Sequence, residues 1–116
     1  MKIAVTSSGK TIEDNVDERF GRAPYFLIIE DDKVEAIENE NLTAGGGVGV
    51  QTSQMLADKG VEAVIAGNFG PKAFQVLDAA GIKAYSASGK KVSEALDLLS
   101  QGKLEPVQGA SKQSHW

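Results

Sequence analysis

The sequence contains no cysteine and a single histidine, His115, which sits beside the C-terminal Trp116. The first absence excludes disulfides, thiolate-bound iron-sulfur or zinc centres and cysteine nucleophiles, and it agrees with a reducing compartment. The second leaves no Ser-His pair unless the last residues fold back, so nucleophilic catalysis has no candidate base. No run approaches the roughly 20 apolar residues that span a bilayer. Residues 1–5 read as a strand and not as the basic opening of a secretory leader. Net positive charge is missing too: 12 Lys and Arg against 16 Asp and Glu give −4, which weighs against a general binder of nucleic-acid phosphates. We therefore expect a cytoplasmic protein with neither a membrane nor a nucleic-acid partner. At 116 residues it has room for one domain and a real core without cross-links.

What is present is a sequence of short apolar runs punctuated by glycine. Residues 2–6 predict a buried strand ended by Ser7-Ser8-Gly9. Residues 10–24 have no period and carry four acids and three bases, a loop longer than most connections in compact domains. Residues 25–29 predict a strand buried on both faces, Asp31-Asp32 a tight turn, and residues 33–39 a charged edge strand. After the glycine run, Val48, Thr52, Met55 and Leu56 share one helical face ending at Gly60. Residues 62–66 predict a strand; Ala73, Val76, Leu77 and Ala80 a second helix closed by Gly81; residues 82–85 a last strand; Val92, Ala95, Leu96 and Leu99 a third helix. A hairpin followed by strand-helix-strand passages implies a mixed sheet. We expect an α/β, ribonuclease H-like three-layer fold: five strands in order 3-2-1-4-5 with three helices, one domain over residues 1–102. Residues 103–116 are polar and aperiodic and read as a flexible tail.

Three segments are candidates for ligand contact. Gly45, Gly46 and Gly47 precede a helix, where glycine permits close approach and unpaired N–H groups favour an anion. The run matches neither the P-loop nor the dinucleotide fingerprint, and a plain flexible bend explains it equally well. Asn68, Phe69 and Gly70 follow the fourth strand at what should be a carboxyl end, where ligands gather in open α/β sheets; a well-formed turn and cap is the alternative. Arg19, Phe20, Gly21 and Arg22 form the third. Two guanidinium forks beside an aromatic wall could clamp a carboxylate or phosphate, or Arg19 could pair with neighbouring acids while Phe20 anchors the loop. Two-metal hydrolysis is not supported, because the first strand carries no carboxylate and the fourth ends in an amide.

Taken in order, residues 17–26 (Asp-Glu-Arg-Phe-Gly-Arg-Ala-Pro-Tyr-Phe), the glycine triplet with Gln51, Thr52 and Leu56, and residues 64–70 (Val-Ile-Ala-Gly-Asn-Phe-Gly) with Ala73-Phe74 resemble the dinitrogenase iron-molybdenum cofactor family. The resemblance runs over residues 1–99. It implies the ribonuclease H-like fold and a role related to carriers of the nitrogenase iron-molybdenum cofactor or an iron-sulfur precursor. That cargo is anionic, so Arg19, Arg22 and exposed amides at the glycine loops suit it. Cofactor-carrying relatives have His-Phe-Gly where Arg19-Phe20-Gly21 stands, the histidine being the expected metal contact. Arginine stays protonated and does not ligate iron or molybdenum, which leaves holding by charge and amide hydrogen bonds.

The expectation is thus a non-catalytic binding protein for an anionic metal cluster or a small anion, with a protein of cofactor assembly as its further partner. Two other readings stay open at the level of sequence. One is an enzyme cradling a phosphorylated or nucleotide substrate in the glycine loop. The other is a protein-interaction module using the long loop or the tail.

Overall fold

The computed structural model describes residues 1–20, 23–31, 33–39, 48–104 and 106–107. Five strands, β1 (Lys2–Ser7), β2 (Tyr25–Glu30), β3 (Lys33–Glu38), β4 (Ala63–Ala66) and β5 (Lys83–Ser86), form one mixed sheet in the order β3-β2-β1-β4-β5. The first three make an antiparallel meander, while β1, β4 and β5 are parallel. Helices α1 (Val48–Asp58), α2 (Pro71–Ala79) and α3 (Val92–Ser100) complete the fold. Strand order and helix number are those expected from the sequence.

Alternation along the strands divides the core into two layers. Ala4, Phe26, Ile28, Val64, Ala66 and Ala84 face Leu56 of α1 and Ala73 and Leu77 of α2. Val5, Leu27 and Ile65 face Val92 and Ala95 of α3 on the other side. The strand period of two delivers this partition directly. Helix ends follow from chain chemistry as well. Gly60 and Gly81, at φ +77°, take the left-handed conformation that stops α1 and α2, which a Cβ would resist. Pro71 opens α2, where its missing N–H costs nothing.

The chain following α3 departs from the free tail that its composition suggests. Lys103 N donates to Leu98 O, Val107 N donates to Ala84 O at 2.7 Å, and Pro106 bridges Tyr85 along the β5 edge. Leu104 packs on the α3 side of the core and Val107 on the other. Two apolar side chains and one strand-type bond suffice to dock this stretch; residues 108–116 lie outside the described residues. Of the turn expected at Asp31-Asp32, Asp31 occupies the left-handed region at φ 57°, and Asp32 lies outside the description.

The helices α1, α2 and α3 follow β3, β4 and β5, which all run in one direction, and each runs back along the sheet, α1 ending beside Lys2 at the start of β1. One edge of the sheet therefore collects three helix starts.

One buried polar atom stands out among the described residues. Thr52 Oγ1 in α1 is buried with no hydrogen-bond partner, which leaves a hydroxyl desolvated without return. Thr52→Val should raise stability by about 1 kcal/mol in urea unfolding, against the usual loss on altering a core residue. A chain truncated after residue 102 should unfold about 1–3 kcal/mol more easily than one truncated after 107, since only the latter keeps Leu104 and Val107 on the core.

Candidate functional site at the carboxyl edge of the sheet

The long loop after β1 does two separate jobs. Its first half closes α3. Val92 N donates to Asp14 O at 2.9 Å and Ser93 N to Ile12 O at 2.8 Å, while Lys91 N is taken by the Glu94 carboxylate at 3.0 Å. Val16 N bonds Lys90 O, and Ser8 N bonds Asn15 O. The N–H groups that an anion would need at the start of α3 are thus consumed within the protein.

The second half lies across the end of β4. Thr6 exchanges bonds with Asp17, its hydroxyl donating to Asp17 O at 2.9 Å and its carbonyl accepting from Asp17 N at 3.0 Å. Gly67 N then donates to Asp17 O and Asn68 N to Glu18 O, at 3.0 and 2.8 Å. Arg19 and Asn68 form a parallel bridge. The approach is so close that a Cβ on Gly67 would lie 2.6 Å from Glu18 Cα. Only glycine fits there.

This splice sorts the residues singled out from sequence. Arg19 and Asn68 are brought side by side, with the Arg19 side chain 63% exposed. Phe20 and Phe69 are core residues instead, 3% and 0% exposed, with ring centroids 5.3 Å apart; Phe20 also meets Phe26 edge-on at 6.1 Å. Their role is to anchor the loop. Gly70 faces open space and caps α2 without any side-chain hydrogen bond. Pro71 has no N–H and no cap covers the next amides, so the start of α2, with exposed Lys72 on its first turn, stays receptive to an anion. Gly21, Arg22, Gly45, Gly46 and Gly47 lie outside the described residues.

Two of the pairing partners escaped sequence reasoning or were left open by it. Asp17 Oδ1 accepts from Arg19 N and Arg19 Nε at 2.9 and 3.3 Å, the acid pairing that was the alternative for this arginine. Glu18 receives Ser88 Oγ at 2.7 Å on each carboxylate oxygen, with Asn68 Nδ2 at 3.5 Å. Ser88 was not singled out because nothing local in the sequence links residues 70 positions apart. Among the described residues no group of three or more His, Cys, Asp or Glu could hold a metal ion. Two surface grooves of about 340 and 280 Å³ flank α2 and include neither Arg19 nor Asn68.

The model of the dinitrogenase iron-molybdenum cofactor family matches residues 1–102. The chain belongs to this family. Membership covers every element described above. The chain is 33% identical over 111 residues to an uncharacterized protein of Methanocaldococcus jannaschii, covering 90% of this chain and 94% of that one. Its fold matches the apo form of the orange protein from Desulfovibrio gigas at a TM-score of 0.92 and 36% identity, over 96% of both chains. A Thermotoga protein described as NifB-like superposes at 0.83 with 40% identity, over 97% of this chain and 98% of that one. Among the described residues, no helix is long and apolar enough to cross a membrane.

The packing at residue 67 is directly testable. Gly67→Ala should destabilise the protein by about 1–3 kcal/mol, because the new methyl meets backbone and not a movable side-chain tip. Gly70→Ala, at φ −73° and facing open space, should change stability by less than about 0.5 kcal/mol in the same urea titration.

Proposed function

We propose that this chain is a non-catalytic carrier of an anionic metal cluster of the iron-molybdenum cofactor type or its precursor, or of a smaller anion of similar chemistry. The observation that carries the reading is the uncapped start of α2 beside the Arg19–Asn68 bridge: a positive helix end, an exposed guanidinium and an amide lie along one edge of the sheet. Family membership supplies the class of cargo. The similar orange protein is described in an apo form, which is compatible with a protein that takes up and gives up a bound group.

The donor set supports one mode of holding. With no cysteine in the sequence and no ligating cluster among the described residues, the cargo is gripped through its outer atoms. The outward N–H groups of Arg19 present a fork to oxo, sulfido or carboxylate atoms. Lys72 and the first amides of α2 add charge and direction. Exchange is expected to be easy, since no metal–protein bond must break. A cytoplasmic setting, a partner protein of cofactor assembly and a ribonuclease H-like classification of the sheet fit this reading.

An anaerobic 15N-1H titration with isolated iron-molybdenum cofactor tests it, with molybdate, phosphate and ATP in parallel. Saturable shifts should centre on Arg19, Asn68, Gly70 and Lys72. Arg19→Ala should weaken binding by about three- to ten-fold, the size of one exposed charged hydrogen bond, with an unchanged unfolding midpoint. Silence with the cofactor together with saturable ATP or phosphate shifts at residues 45–49 would replace this reading with a nucleotide site.

A further inference from the structure

Glu18 is exposed, yet its carboxylate has partners on two other segments. Ser88, in the turn between β5 and α3, places its hydroxyl 2.7 Å from each of the two oxygens. Asn68, between β4 and α2, brings its side-chain amide to 3.5 Å, the outer limit of a hydrogen bond. The neighbouring Asp17 accepts from Arg19 in the same manner. Donors at this edge that would suit an external anion are therefore already turned toward carboxylates of the loop itself.

The two carboxylates are not equivalent. Asp17 has a side chain only 12% exposed, and its short arm receives the Arg19 backbone N–H as well as Nε. It is fixed. Glu18 reaches its partners through two methylenes from the surface, while its backbone is fastened independently by Asn68 N and by contact with Gly67. Rotation of its side chain would release the Ser88 hydroxyl and the Asn68 amide without disturbing the strand-like splice that presents Arg19.

We propose that Glu18 is an internal stand-in for the anionic cargo, occupying the Ser88 and Asn68 donors until an external anion displaces it. The proposal rests on the reading of this edge as an anion site. A carboxylate and an oxo or sulfido anion are chemically alike as acceptors, and both cannot hold the same two donors. Cargo binding is then an exchange of one acceptor for another. The returning carboxylate competes for the donors and adds like-charge repulsion, which sets affinity below what the donors alone would give and promotes release.

This arrangement predicts a sign that a simple bracing role does not. Glu18→Gln keeps the shape and an acceptor for Ser88 but removes the charge. It should bind isolated iron-molybdenum cofactor, and molybdate as the small-anion probe, about three- to ten-fold more tightly, the scale of one like-charge contact in a wet environment. In the Glu18→Gln background, Ser88→Ala should give back most of that gain, because the donor handed to the ligand is gone. Thermal unfolding of each variant reports whether the fold is intact. Unchanged or weaker binding by Glu18→Gln, while Arg19→Ala still weakens the parent, would overturn the stand-in and leave the carrier reading standing. No saturable binding of either probe by parent or variant would remove both.

Discussion

Position 67 has no side chain, and the loop that carries Arg19 occupies the space where one would be. Everything at the carboxyl edge depends on that contact. With the backbone of Glu18 lying against Gly67, residues 17 and 18 bond the amides of Gly67 and Asn68 as an added strand would, and alternation then turns Arg19 outward and Phe20 inward. The inward ring reaches Phe69 and Phe26, so the same stretch of chain that exposes a cation also completes the core beneath it. Fixing a cation by packing its neighbour is cheaper in entropy than fixing a long flexible side chain by its own contacts.

Charge at this edge is balanced and not simply positive. A chain of net charge −4 holds Arg19 against Asp17 and the Ser88 and Asn68 donors against Glu18. Such pairing lowers the field that an approaching anion would feel, so that under the proposed function recognition would act at short range, where hydrogen-bond geometry matters more than overall charge. The absence of thiolates and clustered imidazoles points the same way. Specific holding without metal–protein bonds relies on directed donors, and a rigid backbone splice is what directs them.

Much of the fold was legible because it rests on local signals. The apolar runs marked the strands, glycine marked the helix ends, the hairpin followed by strand-helix-strand passages marked a mixed sheet, and the order 3-2-1-4-5 was expected from the likeness of that element order to ribonuclease H-like folds. The edge of the sheet was less legible for a physical reason. Its contacts are backbone bonds between distant segments, such as Val92 N to Asp14 O, and they leave no periodicity in either partner. Phe20 and Phe69 illustrate the difficulty: an aromatic next to arginine or glycine in a loop has the same local sequence whether it walls a ligand or fills a core. The docked stretch at Leu104 and Val107 was missed because two apolar residues around a proline are too few to register against a polar background.

The capping of α3 by residues 12–16 has a further consequence for how this protein can vary. Between the bond that Ile12 accepts from Ser93 and the bridge of Arg19 to Asn68, every residue spacing is pinned at both ends. Adding or deleting one residue there would either uncap the helix or swap the outward arginine for the inward phenylalanine, exchanging surface and core in a single step. The apparently irregular loop is therefore a part of the chain whose length is not free, for the same reason that the two-residue β2–β3 turn fixes the register of β3.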